Sequence, residues 1–141
     1  MKEVRKEIEE IVNRETRAWD SQDVELLLTV FHPDMVWPWP RTNQSHDPMD
    51  WVLEFGRYDY QRWKNNWQDL FNTHKLVRNK RKIKKIVISN EKNGAFAVVD
   101  IDTLWVDDKN NKNHWKGRTC KVYSKIDNGW KMIMQTGVLE Y

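Results

Sequence analysis

The stretch GAFAVVDIDTLWVDDKNNKNHWKGRTCKVYSKIDNGW, residues 94–130, decides the fold of this chain. It holds two long runs rich in β-branched and aromatic residues, at 95–106 and 114–126, which such residues favour as strands. Asn, Asp and Gly residues stand between and after these runs, where they favour tight turns. Runs of similar character at 75–89 and 130–139 flank the stretch. The four runs predict an antiparallel meander of long strands.

The N-terminal half of the chain has the periodicity of helices instead. Apolar residues recur every three or four positions over residues 2–20 and again over residues 58–74, which predicts two amphipathic helices. Asp47 followed by Pro48 is a helix-start signal and predicts a short helix that ends near Gly56. A chain in which helices come first and long strands follow has the order of an α+β fold.

The segment Met35-Val36-Trp37-Pro38-Trp39-Pro40 lies between these helices and is rich in proline. Proline lacks the N–H that a sheet ladder needs, and it does not fit a helix interior. We therefore expect residues 35–40 to form an edge strand at the mouth of a pocket. Tryptophan at 37 and 39 would contribute to the core or to the wall of that pocket.

Composition narrows the class of protein further. The chain has 141 residues, which is a common size for one domain, and we expect a single domain over residues 1–141. Nine tryptophans are a heavy aromatic load, which predicts that tryptophan dominates the core, a pocket or an interface. A single cysteine excludes an internal disulfide and is typical of the cytoplasm. The N-terminal residues carry no signal peptide or membrane-spanning run, so we expect no membrane partner.

Charge gives little support for nucleic-acid binding. The chain has 24 basic and 21 acidic residues, and its net charge is only +3. Basic residues do cluster at positions 75–85, and such a run could bind phosphate or an acidic partner. More often it is the solvated face of an edge strand, which charge protects against aggregation. Because no aromatic residues alternate with these charges, we favour the edge strand and expect no nucleic-acid partner.

Carboxylates on apolar faces are the main candidates for chemistry. Glu15 falls in the middle of the apolar stripe of the first helix. The two-residue period of a strand places Asp100 and Asp102 on one face with Val98. A symmetric hairpin would set Asp102 opposite Arg118, and Arg118 shares a face with Cys120.

The whole layout resembles the nuclear-transport-factor-2-like superfamily. The resemblance rests on the long N-terminal helix, on Phe31-His32-Pro33-Asp34-Met35-Val36-Trp37, and on Asp127-Asn128-Gly129-Trp130-Lys131 before the last strand. It covers nearly the whole chain and looks closest to the SnoaL-like members and to the association domain of calcium/calmodulin-dependent kinase. The resemblance implies a cone-shaped roll, with N-terminal helices packed on a curved antiparallel sheet of the cystatin-like type. It also implies a small-molecule pocket on the concave face and a homodimer through the sheet.

The resemblance also locates site residues. Ketosteroid isomerase-like members carry a general-base Asp in the first strand directly before a proline, and Trp39 stands there in this chain. The oxyanion-donating Tyr aligns with Glu15, and an acid in the penultimate strand aligns near Cys120. These departures argue against steroid-isomerase chemistry, because an ionised Glu cannot donate a hydrogen bond. The pocket face that the alignment implies includes Val98, Asp100 and Asp102.

Two functions remain open from the sequence. The first is a SnoaL-like small-molecule protein that acts without a cofactor as a lyase, isomerase or hydrolase. Its predicted catalytic residues are Glu15, Asp100, Asp102 and Arg118, and its predicted ligand-binding residues are Trp39, Trp63, Val98, Cys120 and Met134. The second is a non-catalytic ligand-binding or dimerisation module, in which the charged cluster is a satisfied internal network. No metal-ligand spacing is present, so we expect no metal.

Overall fold

The computed structural model describes residues 1–54 and 59–139. Its helices are α1 (Lys2–Ser21), α2 (Val24–Leu27) and α3 (Tyr60–Thr73). Its strands are β1 (Phe31–Pro40), β2 (Trp51–Glu54), β3 (His74–Ile88), β4 (Gly94–Asp107), β5 (Lys112–Ile126) and β6 (Gly129–Leu139). The two long helices and the four long strands therefore form within two residues of the predicted bounds. The predicted start of the second helix, Tyr58, lies outside the described residues.

The strands form one curved, unclosed sheet in the order β2-β1-β6-β5-β4-β3. The run from β3 to β6 is the predicted antiparallel meander. The pairing of β1 with β6 is parallel, so the sheet is mixed and not wholly antiparallel. Helices packed on such a sheet give the α+β cone that the sequence predicts. A parallel pair is possible here because residues 41–128 connect β1 to β6, whereas a short hairpin would make the pair antiparallel.

Strand β1 is not the edge strand that its prolines suggested. It lies between β6 and the short β2, so β2 is the edge. The last residue of β1 with a partner in β6 is Val36, whereas Pro38 and Pro40 are paired only with β2. Where the prolines stand, β1 is thus bonded on one side only. This arrangement spares the missing N–H groups and reconciles an inner strand with two prolines.

The short helix predicted after Asp47 is a single 3₁₀ turn, Pro48–Asp50, which leads directly into β2. The capping prediction itself is confirmed, since the Asp47 carboxylate accepts a hydrogen bond of 3.0 Å from the backbone N–H of Met49. The turn does not continue because the next residues pair with β1 as a strand. Gly56, the predicted end of this helix, lies outside the described residues.

Helix α1 buries its apolar stripe against one face of the sheet. The buried residues of α1 are Ile8, Ile11, Val12, Glu15, Ala18 and Trp19. They share one face because they recur at intervals of three or four residues. The opposing sheet residues on β4 are odd-numbered, and Ala97, Val99 and Ile101 among them are buried. The core therefore lies between α1 and the inner face of the sheet.

The basic segment at 75–85 belongs to β3, at the edge opposite β2. Lys75, Lys80, Lys82, Lys84 and Lys85 are all exposed. This is the solvated edge strand that the sequence favours, and charge there discourages edge-to-edge pairing. Arg81 is the exception, because its side chain points into the core and is only 5% exposed. Among the described residues, no helix is long and apolar enough to cross a membrane.

Candidate functional site

A cavity of about 210 Å³ lies between α1, α3 and the inner face of the sheet. Tryptophan is its main lining, with six side chains from two helices and two strands. These are Trp19, Trp37, Trp39, Trp63, Trp67 and Trp115. The other lining residues are Glu15, Val52, Asn66, Arg81, Ile101, Lys121 and Gln135. The cavity thus combines an aromatic wall with a small set of polar groups.

Element periodicity brings the tryptophans together. Trp63 and Trp67 stand one helical turn apart on α3, so their indoles share a face and stack at 5° with centroids 6.3 Å apart. Trp37 and Trp39 stand two residues apart on β1 and point to the same side of the strand. Trp67 also contacts Trp19 edge to face, with ring centroids 5.1 Å apart. Each ring is held by its neighbours, so the wall is formed in advance of any ligand.

A buried ion cluster forms the polar part of the lining. The Glu15 carboxylate lies 3.0 and 3.1 Å from Lys121 Nζ and 3.2 Å from Arg81 Nη1. It also accepts a 2.9 Å hydrogen bond from the indole N–H of Trp19. The side chains of Glu15 and Lys121 are each 1% exposed. We call Glu15, Arg81 and Lys121 the cavity cluster.

Neutral side chains fix the two cations of the cavity cluster in place. Lys121 Nζ donates a 2.5 Å hydrogen bond to Gln135 Oε1 on β6. Arg81 donates from Nε to Asn79 Oδ1 at 2.7 Å and from Nη2 to Thr103 Oγ1 at 3.2 Å. The cluster is therefore a connected network whose donors and acceptors lie on α1, β3, β4, β5 and β6, and such networks rigidify a site.

Burial and the neighbouring charges shift the pKa values of Glu15 and Lys121 in opposite directions. Burial by itself raises the pKa of the Glu15 carboxyl, but the charges of Lys121 and Arg81 outweigh it and hold that pKa below its ordinary value. Burial lowers the pKa of Lys121 to about 8, against the attraction of Glu15. The two directions are compatible, because Glu15 faces two cations whereas Lys121 faces one anion and one cation. At neutral pH all three groups are charged, and Lys121 is the one that titrates nearest to neutrality.

One donor in the cavity wall has no acceptor. The indole Nε1 of Trp67 is buried and makes no hydrogen bond to any described residue. The indole of Trp63, one turn earlier on the same helix, donates to the backbone carbonyl of Pro33 at 2.8 Å. A buried N–H without a partner costs about 1–3 kcal/mol, and this nitrogen exposes almost no surface to the cavity.

Of the predicted site residues, Glu15, Trp39 and Trp63 line the cavity. The other six do not line it, and they stand at even-numbered positions of β4, β5 and β6. They are Val98, Asp100, Asp102, Arg118, Cys120 and Met134. The prediction that the even-numbered residues of β4 face the pocket was wrong. The odd-numbered Val99, Ile101 and Thr103 are the buried ones. The sequence was ambiguous there, since apolar residues occupy both faces of the strand.

Two of the predicted carboxylates, Asp100 and Asp102, form ion pairs on the outer face of the sheet. Asp100, not Asp102, stands opposite Arg118, and Arg118 Nε lies 2.8 Å from Asp100 Oδ1. Asp102 accepts hydrogen bonds from Arg78 Nε at 3.1 Å and contacts His114 Nε2 at 2.7 Å. The structure therefore does not bring Asp100, Asp102 or Arg118 together with Glu15.

Sequence reasoning missed the partners of Glu15. Lys121 stands between Cys120 and Val122 in the sequence. It shares its face of β5 with Thr119 and Tyr123, and Thr119, Lys121 and Tyr123 are all buried. The signal was the glutamate itself, because a buried carboxylate requires a cation. Arg81 was not recognised as a partner of Glu15 because its neighbours in the basic segment, Lys80 and Lys82, are exposed lysines. Among the described residues, no group of three or more His, Cys, Asp or Glu side chains is placed to hold a metal ion.

No protein-family model matches the chain, and no curated protein sequence matches it either. Solved structures do match over nearly the whole length. A nuclear transport factor 2 (NTF2-like) superfamily protein from Salmonella enterica aligns with a TM-score of 0.70 at 22% identity, over 99% of this chain and 94% of that one. A ketosteroid isomerase-like protein from Erwinia carotovora aligns with a TM-score of 0.68 at 13% identity, over 92% and 91%.

A third match is a protein with a cystatin-like fold from Caulobacter vibrioides, with a TM-score of 0.62 at 16% identity over 99% of this chain and 91% of that one. Identities this low show a shared fold and do not carry an activity from one protein to another.

Proposed function

We propose that this chain, which has the nuclear-transport-factor-2-like fold, binds a small flat aromatic molecule in its tryptophan cavity. The observation that carries the proposal is the lining of six indoles around a cavity of about 210 Å³. Aromatic rings gain about 0.5–1.5 kcal/mol per stacked or edge-to-face pair beyond the area they bury. The volume lies below the roughly 300–1,000 Å³ of a drug-sized pocket, so the ligand is small.

The rigidity of the wall supports the proposal. Trp37 lies 5.1 Å from Trp67 between ring centroids, and Trp19 lies 5.6 Å from Trp115. Indoles that hold one another in this way lose little further entropy when a ligand enters. A preformed aromatic slot favours a planar ligand over a flexible chain of equal volume.

The cavity supports the binding module better than the enzyme that uses pocket carboxylates. Glu15 is the one carboxylate in the lining formed by the described residues. A general acid needs a carboxyl pKa displaced toward neutrality, whereas the cations beside Glu15 hold its pKa low. We therefore propose that Glu15 positions Lys121 and Arg81 and does not itself transfer protons to a substrate.

Calorimetry tests the proposal with 2-naphthamide and its saturated analogue decahydronaphthalene-2-carboxamide. We expect the aromatic amide to bind at least about tenfold more tightly, since only its ring system can stack between the indoles. Val52→Trp fills the cavity from β2 and should weaken binding by at least about tenfold. Leu53→Trp is the matched control, because this neighbouring residue does not line the cavity. Equal affinity for the two amides, or unchanged binding by Val52→Trp, would contradict the proposal.

We further propose that the outer face of the sheet joins two copies of the chain. An apolar row crosses five adjacent strands there, because Val87 is paired with Phe96, Phe96 with Val122, and Val122 with Met134, while Val36 is paired with Met134 in turn. Phe96 is 51% exposed and Met134 is 37% exposed. Contiguous exposed apolar surface of this kind marks an interface. A two-fold axis would place the row of one copy on the row of the other.

A further inference from the structure

The charges that line the tryptophan cavity do not cancel. Arg81 and Lys121 are cations and Glu15 is an anion, so the cavity cluster carries a net charge of +1 while Lys121 is protonated. No other charged side chain stands in the lining that the described residues form. A charge in a site shielded from water acts on a ligand far more strongly than the same charge in water.

Groups behind the cluster do not remove this charge. The charge of Asp20 on α1 also attracts Arg81, but Asp20 is exposed and accepts a 2.9 Å hydrogen bond from Asn79. Tyr123, on β5 beside Lys121, is fully buried, and burial raises the pKa of its phenol well above the ordinary value. Tyr123 is therefore neutral. Arg14 on α1 also lies near Tyr123, but its charge is balanced by its ion pair with Glu10.

Arg81 in the same lining has further hydrogen-bond donors for an anion. Arg81 has five N–H groups, and its hydrogen bonds to Glu15, Asn79 and Thr103 account for three of them. Hydrogen bonds to an ionised acceptor are about twice as strong as neutral ones, and the other two N–H groups of Arg81 belong to a cluster with an excess positive charge.

We propose that the aromatic ligand of this cavity carries a carboxylate, held by the excess positive charge of Arg81 and Lys121. The inference rests on the proposed function, since it names the chemical class of the ligand that the aromatic wall accepts. The carboxylate completes the charge balance of the cavity cluster. A quaternary ammonium or other cation, which tryptophan cages also hold, is excluded by the positive charge of the cluster.

Protonation of Lys121 couples carboxylate binding to pH. Its pKa is about 8, so the cluster carries +1 at pH 7 and approaches zero above pH 9. The carboxylate affinity therefore falls as the pH rises through this range, by up to about tenfold per pH unit above the pKa. A neutral amide of the same shape does not respond, because its binding involves no net charge.

The experiment compares 2-naphthoate with 2-naphthamide by calorimetry on the full chain at pH 7.0 and pH 9.5. At pH 7.0 we expect 2-naphthoate to bind at least about tenfold more tightly, and at pH 9.5 we expect this ratio to shrink toward one. Lys121→Met brings the charge of the cluster to zero, so it should lower the ratio at pH 7.0 and abolish its pH dependence. Lys125→Met is the matched control on the same strand, outside the cavity and 34% exposed.

The comparison of the two probes on the wild-type chain does not depend on whether a variant folds. If the two probes bind wild type equally, the carboxylate inference is wrong and the aromatic site stands. If neither binds, the proposed function itself fails.

Discussion

Lys121 Nζ lies 3.0 and 3.1 Å from the two carboxylate oxygens of Glu15, although 106 residues separate them along the chain. The first helix and the fifth strand thus meet through one buried ion pair. Both side chains are 1% exposed, so neither charge can be hydrated if the other is lost. The pair links the long-range packing of α1 on the sheet to the polarity of the cavity.

Glu15→Gln should lower the free energy of unfolding by about 3–5 kcal/mol, because it leaves Lys121 and Arg81 buried without an anion. Adding Lys121→Met to Glu15→Gln should recover at least about 1 kcal/mol of that loss, because it removes one of the two buried cations that lack an anion. Urea denaturation followed by circular dichroism measures both values. Glu3→Gln, at an exposed position of the same helix, should change stability by no more than about 0.5 kcal/mol. Strict additivity of Glu15→Gln and Lys121→Met would contradict the pairing.

Stability should rise between pH 8 and pH 10 because of Lys121. Its pKa is about 8 in the folded chain and near 10.5 when unfolded, so in this window the unfolded chain binds one more proton. The free energy of unfolding then increases with pH, by up to about 1.4 kcal/mol per pH unit. The raised pKa of Tyr123 acts in the opposite sense only above pH 10.

Urea denaturation across pH 7 to 10 tests this dependence, with Lys121→Met as the reference. The variant lacks the titrating amine, so the difference in stability between wild type and variant isolates the contribution of Lys121. A difference that stays constant across the window would show that Lys121 keeps its ordinary pKa.

Gly117→Ala should destabilise the fold by at least about 2 kcal/mol. A Cβ at this position would stand 2.1 Å from the carbonyl oxygen of Val138, closer than any real contact, so β5 and β6 would have to separate. Gly94→Ala is the matched control, because the nearest atom to its Cβ is 3.7 Å away, and it should be neutral or stabilising by up to about 1 kcal/mol. Thermal denaturation of the two variants gives the comparison. Equal stability would mean that β5 and β6 are not this close.

Met134→Lys should convert a dimer into a monomer at micromolar concentration, because it places a charge in the apolar row of the outer sheet face. Met49→Lys is the control, since Met49 is 89% exposed in the 3₁₀ turn and lies outside the row. Light scattering coupled to size exclusion reports the mass of each variant. A monomeric wild type would refute the proposed two-fold contact.

The sequence by itself determined the two long helices, the four long strands and the fold class. The helical stripe of α1 and the four long strands with their Asn, Asp and Gly turns follow from local periodicity, which depends only on neighbouring residues. It also marked Glu15 as anomalous, because a carboxylate in an apolar stripe is costly wherever the helix packs. The aromatic load predicted a tryptophan-rich interior, and Trp39 and Trp63 do line the cavity.

Only the tertiary structure decided which face of β4 is inward and which cations meet Glu15. When both faces of a strand carry apolar residues, its sequence does not show which face is buried. Val98 and Asp100 were therefore as plausible on the inner face of β4 as Val99 and Ile101. Packing against α1 resolves this choice, because a single residue of shift exchanges the two faces. The same packing turns Arg81 and Lys121 inward. Their partner lies on the first helix, at a sequence distance that no local pattern can span.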